Sequence, residues 1–172
     1  TDSTVTITYP AYFSSTSDTF YEGYTRPTGH LVIPSTVTHN GNTYDVVAIS
    51  DYAFCRCSGL ESVSFVADSK LIKIGMSAFY YCQLAQDLFL PPSLKSIGEQ
   101  AFCNNYIRSV TIPENVTHIG GGVFWLNSSL RTINLNARNL QTMGTTQSPG
   151  FVNGVPNLTV INIGANVTNI PA

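Results

Sequence analysis

Charge is scarce in this chain. Asp, Glu, Lys and Arg make up 10% of its 172 residues, where roughly a quarter is usual for soluble proteins. A net charge of −2 supplies no electrostatic footprint for nucleic acid or an anionic membrane surface, so neither is expected as a partner. Ser, Thr and Asn take over the polar surface. Long apolar runs are missing as well: none reaches the ~18 residues of a spanning helix, so this segment is not expected to insert into a membrane. The start, Thr1-Asp2-Ser3-Thr4, has neither a Met nor a signal peptide. A mature secreted or lipid-anchored protein read without its leader fits that start.

Clusters that carry chemistry are lacking too. No Cys-x-x-Cys pair or His cluster accompanies the four cysteines, which argues against zinc and leaves no cofactor site in view. His30, His39 and His118 fall in separate segments without a local Ser or Cys nucleophile motif, and no Gly-rich loop follows a strand as a phosphate cradle requires. His118 aligns with Lys73, Lys95 and Thr142, a row read as a solvated back face. Glu61, Glu99 and Glu114 occupy three different positions of the repeat described next, so no two carboxylates are set to face one bond. An enzyme is not expected.

What the chain does have is a repeat. Ala53-Phe54, Ala78-Phe79, Ala101-Phe102, Val123-Phe124 and Gly150-Phe151 follow one another at Phe-to-Phe spacings of 25, 23, 22 and 27 residues. Ile49, Ile74, Ile97 and Ile119 stand five residues before the first four aromatics, the last three followed by Gly. Three residues after each Phe come Cys57, Cys82, Asn105, Asn127 and Gly154. An apolar anchor follows (Leu60, Leu84, Ile107, Leu130, Leu158), then the period-two pairs Val63-x-Phe65, Leu88-x-Leu90, Val110-x-Ile112, Ile133-x-Leu135 and Ile161-x-Ile163, which read as short strands. One such coil cannot bury its own apolar side, whereas stacking lays Phe over Phe and Val over Ile in columns. A tight inward turn also leaves backbone polar groups inside, and the Asn amides are suited to satisfy them, the Cys thiols less so.

With these residues the chain resembles the BspA-like (treponemal) class of leucine-rich repeats, found in bacterial surface proteins and some protozoan ones. The resemblance spans roughly residues 30 to 170, and the coils of Val123 and Met143-Gly144 depart from it. The fold class expected is α/β, mainly β: a right-handed leucine-rich repeat solenoid of about five coils, with one parallel sheet on one side and short helical or 3₁₀ turns opposite. The resemblance implies an extracellular or cell-surface location and an adhesin-like role, binding a host matrix protein or a neighbouring cell.

Residues 1–29 fall outside the repeat and are read as an N-terminal β cap, with strands at Val5-Thr6-Ile7-Thr8-Tyr9 and Phe20-Tyr21-Glu22-Gly23-Tyr24 and with Tyr12 and Phe13 as cap packing. Residues 30–172 form the solenoid, one structural domain with the cap. Asn40-Gly41 marks a hairpin insertion near 36–46. Gly144-Thr145-Thr146-Gln147-Ser148-Pro149 reads as a surface loop. The last half coil, Ile163 to Ala172, carries no polar closing element, so further repeats or another surface are expected against it. Four Asn-x-Ser/Thr sequons, at Asn115, Asn127, Asn157 and Asn166, include two that are simply repeat grammar. Cys55 and Cys103 lie two coils apart, too far to bridge, and are expected half-buried. Only Cys57 and Cys82 could pair, and both are expected inward-facing and reduced.

Between the inward pairs, side chains must point outward, in two columns: Ser62, Asp87, Ser109, Thr132, Val160 and Ser64, Phe89, Thr111, Asn134, Asn162. Asp87 and Phe89 break a row of small neutral residues. With Tyr81 and Tyr106 just before the strands, they form the candidate partner-binding site, joined by Ser109, Thr111, Thr132 and Asn134. Recognition of a protein through this sheet face is the leading reading. A structural spacer holding another module off the cell is the alternative, and a glycan-binding protein, suggested by surface tyrosines and Trp125, is a third.

Overall fold

The computed structural model describes residues 3–9, 24–144 and 150–171. Those residues form no helix; they form strands β1 (Thr4–Ile7), β2 (Thr28–Ile33), β3 (Thr36–His39), β4 (Asn42–Ile49), β5 (Gly59–Phe65), β6 (Lys73–Ile74), β7 (Asp87–Phe89), β8 (Ser96–Ile97), β9 (Ser109–Ile112), β10 (His118–Ile119), β11 (Thr132–Leu135), β12 (Thr142–Met143) and β13 (Val160–Ile163). The period-two segments make β5, β7, β9, β11 and β13. The Ile that precedes each turn makes a second strand per coil.

Three sheets result. A seven-stranded sheet runs β1-β4-β6-β8-β10-β12 with β3 antiparallel to β4; a four-stranded sheet runs β13-β11-β9-β7; β2 and β5 form a two-stranded sheet. All coil-to-coil pairing is parallel. In the antiparallel hairpin, Asn40 and Gly41 both adopt positive φ, as a two-residue connection of matching twist requires. Strand β1 pairs in parallel with β4 and so extends the seven-stranded sheet. The second cap strand expected at Phe20–Tyr24 lies outside the described residues except for Tyr24, as do Tyr12, Phe13 and residues 145–149 of the loop.

The expectation of one sheet faced by helical or 3₁₀ turns is corrected, and the hydrogen bonds give the reason. A helix needs its N–H groups for carbonyls in the same segment. Here alternate turn N–H groups reach the next coil instead: Ser77 to Glu99, Phe79 to Ala101 and Tyr81 to Cys103 at 2.8–3.0 Å, then Gln100 to Gly121, Phe102 to Val123 and Asn104 to Trp125. Residues two before and two after the Phe adopt positive φ in successive coils, for example Gln100 and Asn104. The N–H groups between them close single turns within the coil, Ala101 to Gly98 O and Cys103 to Gln100 O, so the stretch is a run of tight turns repeated in register and not a continuous helix.

The core lies between the sheets. Phe79 and Phe102 stack with centroids 5.3 Å apart, flanked by Phe54 at 5.1 Å and Phe124 at 6.0 Å, whereas Phe151 meets Phe124 edge-on. Ile49, Ile74, Ile97 and Ile119 are buried beside them. The glycines after the last three mark close approach of neighbouring backbones: a Cβ on Gly98 would sit 2.4 Å from Met76 N, and one on Gly120 2.3 Å from Glu99 N. Ser50 holds the same place in the first coil and keeps its side chain.

Buried polar atoms are satisfied across coils. Asn105 Oδ1 accepts from Cys82 N and Leu84 N, while its Nδ2 donates to Phe79 O at 2.8 Å. Asn127 repeats this one coil on, accepting from Ile107 N and donating to Phe102 O. Cys82 Sγ lies 2.9 Å from Phe54 O. All four cysteines are buried and none forms a disulfide, which corrects the half-buried position expected of Cys55 and Cys103: they directly follow the buried Phe54 and Phe102 in sequence and share their burial. Burial lifts the Cys82 thiol well above its ordinary range, with Cys57 adding to the effect, and pushes Cys103 up to about 11. The inward columns are partly open at Phe65 and fail at the end, where Ile161 and Ile163 are each 49% exposed because no described coil lies beyond β13.

Candidate recognition face

The two outward columns stand in register. Asp87 pairs with Ser109, Ser109 with Thr132 and Thr132 with Val160; Phe89 pairs with Thr111, Thr111 with Asn134 and Asn134 with Asn162. Short side chains lock each other along the rows. Asn162 Nδ2 donates to Asn134 Oδ1 at 2.8 Å, and Asn134 Nδ2 to Thr111 Oγ1 at 3.2 Å. Ser109 Oγ donates to Asp87 Oδ1 at 2.9 Å, and the Arg108 guanidinium stands 4.0 Å from the same oxygen. Phe89 is 69% exposed, the most open of the large apolar side chains described.

Tyr106 and Tyr81 are exposed as well, at 50% and 46%. They do not occupy equivalent repeat positions: Tyr81 follows its Phe by two residues, in a positive-φ corner, and Tyr106 follows by four. Tyr81 sits beside Tyr80, their centroids 6.4 Å apart. Trp125, which suggested a glycan platform, is half-buried against the last coil, where a Cβ on Gly154 would come 2.4 Å from its ring.

The sheet breaks beside Phe89. Where adjacent coils were expected to pair throughout, β5 and β7 belong to different sheets. Leu84 and Leu88 are four residues apart, whereas the corresponding pairs Leu60 and Val63, Ile107 and Val110, and Leu130 and Ile133 are three apart. Within the longer stretch, Gln86 turns its side-chain amide onto β5: Oε1 accepts from Val63 N at 2.7 Å and Nε2 donates to Val63 O at 2.8 Å. The amide thus takes both groups of Val63 that face β7. Sequence reasoning passed over Gln86, although the four-residue spacing was its signal.

His30 has company that its sequence position does not reveal. Pairing of β2 with β5 puts its ring between two hydroxyls, Nδ1 2.6 Å from Ser62 Oγ and Nε2 3.0 Å from Ser64 Oγ. These bonds are exposed, and both ring nitrogens go to hydroxyls, so no carboxylate orients the imidazole as a general base requires. His118 projects from the seven-stranded sheet, where its row is Lys73, Ser96 and Thr142; Ser96 replaces the Lys95 of the sequence alignment. Among the described residues no group of three or more His, Cys, Asp or Glu could hold a metal ion, and no helix is long and apolar enough to cross a membrane.

Known proteins share this pattern. No curated relative matches the sequence. Among solved structures, a leucine-rich repeat protein from Bacteroides ovatus is 25% identical with a TM-score of 0.48 over 80% of this chain, and this chain spans 46% of that one. A T. pallidum leucine-rich repeat protein is 22% identical over 83% of this chain and 78% of its own, with a TM-score of 0.46. A leucine-rich cell surface protein from Faecalibacterium prausnitzii is 20% identical over 63% of this chain and 48% of its own, with a TM-score of 0.32. The profile of the BspA type leucine-rich repeat region matches residues 47–172 in 6 copies, so the chain belongs to the BspA-type leucine-rich repeat family.

Proposed function

We propose that this protein is a non-enzymatic recognition module of the cell surface, which binds a protein ligand, a host matrix protein or one on a neighbouring cell, through the face of β7, β9 and β11. The observation that carries this reading is Phe89, 69% exposed on the edge strand β7, where its paired neighbour Thr111 is too short to cover it. Exposed aromatics in a setting of small, mutually bonded polar side chains have the composition of a binding hot spot and its rim. Asp87 adds a carboxylate held by Ser109 and Arg108, which gives the patch a directional acceptor. The four-stranded sheet is a rigid base, so little conformational freedom is lost on contact. The test is a pull-down with immobilised protein against matrix proteins and whole cells. Saturable capture of a protein supports recognition. No capture from either source favours a spacer, and capture that vanishes on deglycosylation of the target favours a glycan.

A further inference from the structure

We propose that Gln86 is a positioning residue for the recognition face: its side chain replaces a stretch of strand pairing and thereby keeps the sheet parted next to Asp87 and Phe89. The inference rests on the reading of that face as the binding site. Three observations carry it. The stretch from Leu84 to Leu88 has one residue more than its counterparts, and the pairing shifts with it: Ala85 N bonds Glu61 O, where the next coil uses Arg108 N to Gln86 O, which leaves Gln86 as the additional residue. The amide of Gln86 makes two short bonds to one residue, Val63, taking the places of the C=O and N–H that two successive peptide groups of a neighbouring parallel strand would supply. The break between β5 and β7 falls there and nowhere else along the outward columns.

A side chain interposed between two strands holds them further apart than the ~4.8 Å of direct pairing. Extra residues of this kind re-aim their neighbours, which is why bulges recur beside binding and active sites. Here the neighbours are Asp87, next in sequence, and Phe89, whose row across the break is continued by Ser64. The parted edge leaves one flank of the Phe89 ring open and lets a partner's side chain enter beside it. Gln is suited to the role because one amide supplies an acceptor and a donor together. Glu would accept from Val63 N and repel Val63 O.

The experiment compares the parent with Gln86→Ala, Gln86→Glu and a deletion of Gln86, which restores the three-residue spacing. The binding probe is a peptide selected from a random library on the immobilised parent and rejected by Phe89→Ala. The Val63 amide is followed by hydrogen exchange. Expected for the deletion are a melting temperature equal to or above the parent's, a Val63 amide that stays protected through direct pairing with β7, and at least tenfold weaker peptide binding. Gln86→Ala should exchange Val63 at least tenfold faster, and Gln86→Ala and Gln86→Glu should both bind more weakly. Binding within twofold of the parent for the deletion overturns the proposal; should the deletion fail to fold, unchanged binding by Gln86→Ala does the same. Unaltered Val63 exchange in Gln86→Ala overturns it independently. A library that yields only peptides indifferent to Phe89 refutes the recognition face itself, while Val63 exchange still reports whether Gln86 holds the break.

Discussion

Asn127 lies fully buried beneath Phe102, donating its Nδ2 to the Phe102 carbonyl at 2.8 Å across the junction between two coils. The same amide group bonds Phe124 O within its own coil, and its oxygen accepts from Ile107 N. One side chain therefore ties the backbones of adjacent coils where no water can enter. It also disqualifies one sequon: a glycan cannot reach Asn127 in the folded chain.

Replacing Asn127 by Ala should leave those main-chain groups unpaired and cost about 3 kcal/mol, the upper range for an unsatisfied buried hydrogen-bonding group. Urea unfolding measures it. A loss below about 1 kcal/mol would mean that the amide ladder contributes little.

Phe102→Ala should cost about 3–5 kcal/mol, because the ring is sandwiched between Phe79 and Phe124 and the coils on either side cannot close the cavity. Chemical denaturation showing under about 1 kcal/mol would remove the Phe column from the core.

Gly98→Ala should destabilise by about 3 kcal/mol or more, since the added methyl meets the backbone of Met76, which cannot rotate away. Ser50→Ala, at the same place in the first coil, is the control and should change the midpoint little. Equal effects at the two sites would contradict the close-packed stacking.

Legibility divided along physical lines. The Phe column, the Asn ladder and the outward rows could be read because each imposes a residue type at a fixed offset. The second set of strands could not, since β6, β8, β10 and β12 are two residues long and leave a single Ile or Met as their trace. Nor do the positive-φ corners show in composition: Tyr81 and Gln100, which have no preference for that backbone conformation, share it with Asn104 where each N–H bonds a carbonyl of the next coil. Gln86 was legible as a spacing anomaly, but its meaning depended on where the amide reached. His30 met Ser62 and Ser64 only through strand pairing 32 to 34 residues away.

The thiols should be silent in the folded protein. Four should titrate with a disulfide reagent after unfolding without reductant, and none quickly before. Fewer than four in denaturant would reveal a Cys57–Cys82 bridge. Burial raises the folded pKa of Cys103 from 9.0 to about 11, so the neutral thiol is the form the fold favours. Its contribution is complete below 9.0 and declines as pH rises toward about 11, because the unfolded chain ionises first. Cys82, shifted the same way, adds to the decline. Denaturation midpoints should therefore fall between pH 9 and 11, and Cys103→Ala should weaken that dependence. A flat profile across this window would count against the buried thiols.

The recognition face is tested most directly by binding of a Phe89→Ala, Tyr106→Ala double variant to the protein captured by the parent in the pull-down. Both side chains are exposed, so the variant should unfold at the parent's denaturant midpoint and bind at least tenfold more weakly, the loss of about 1.4 kcal/mol or more that hot-spot truncation brings. A folded double variant that binds as tightly as the parent would contradict the account and move the site to the seven-stranded sheet or the N-terminal cap.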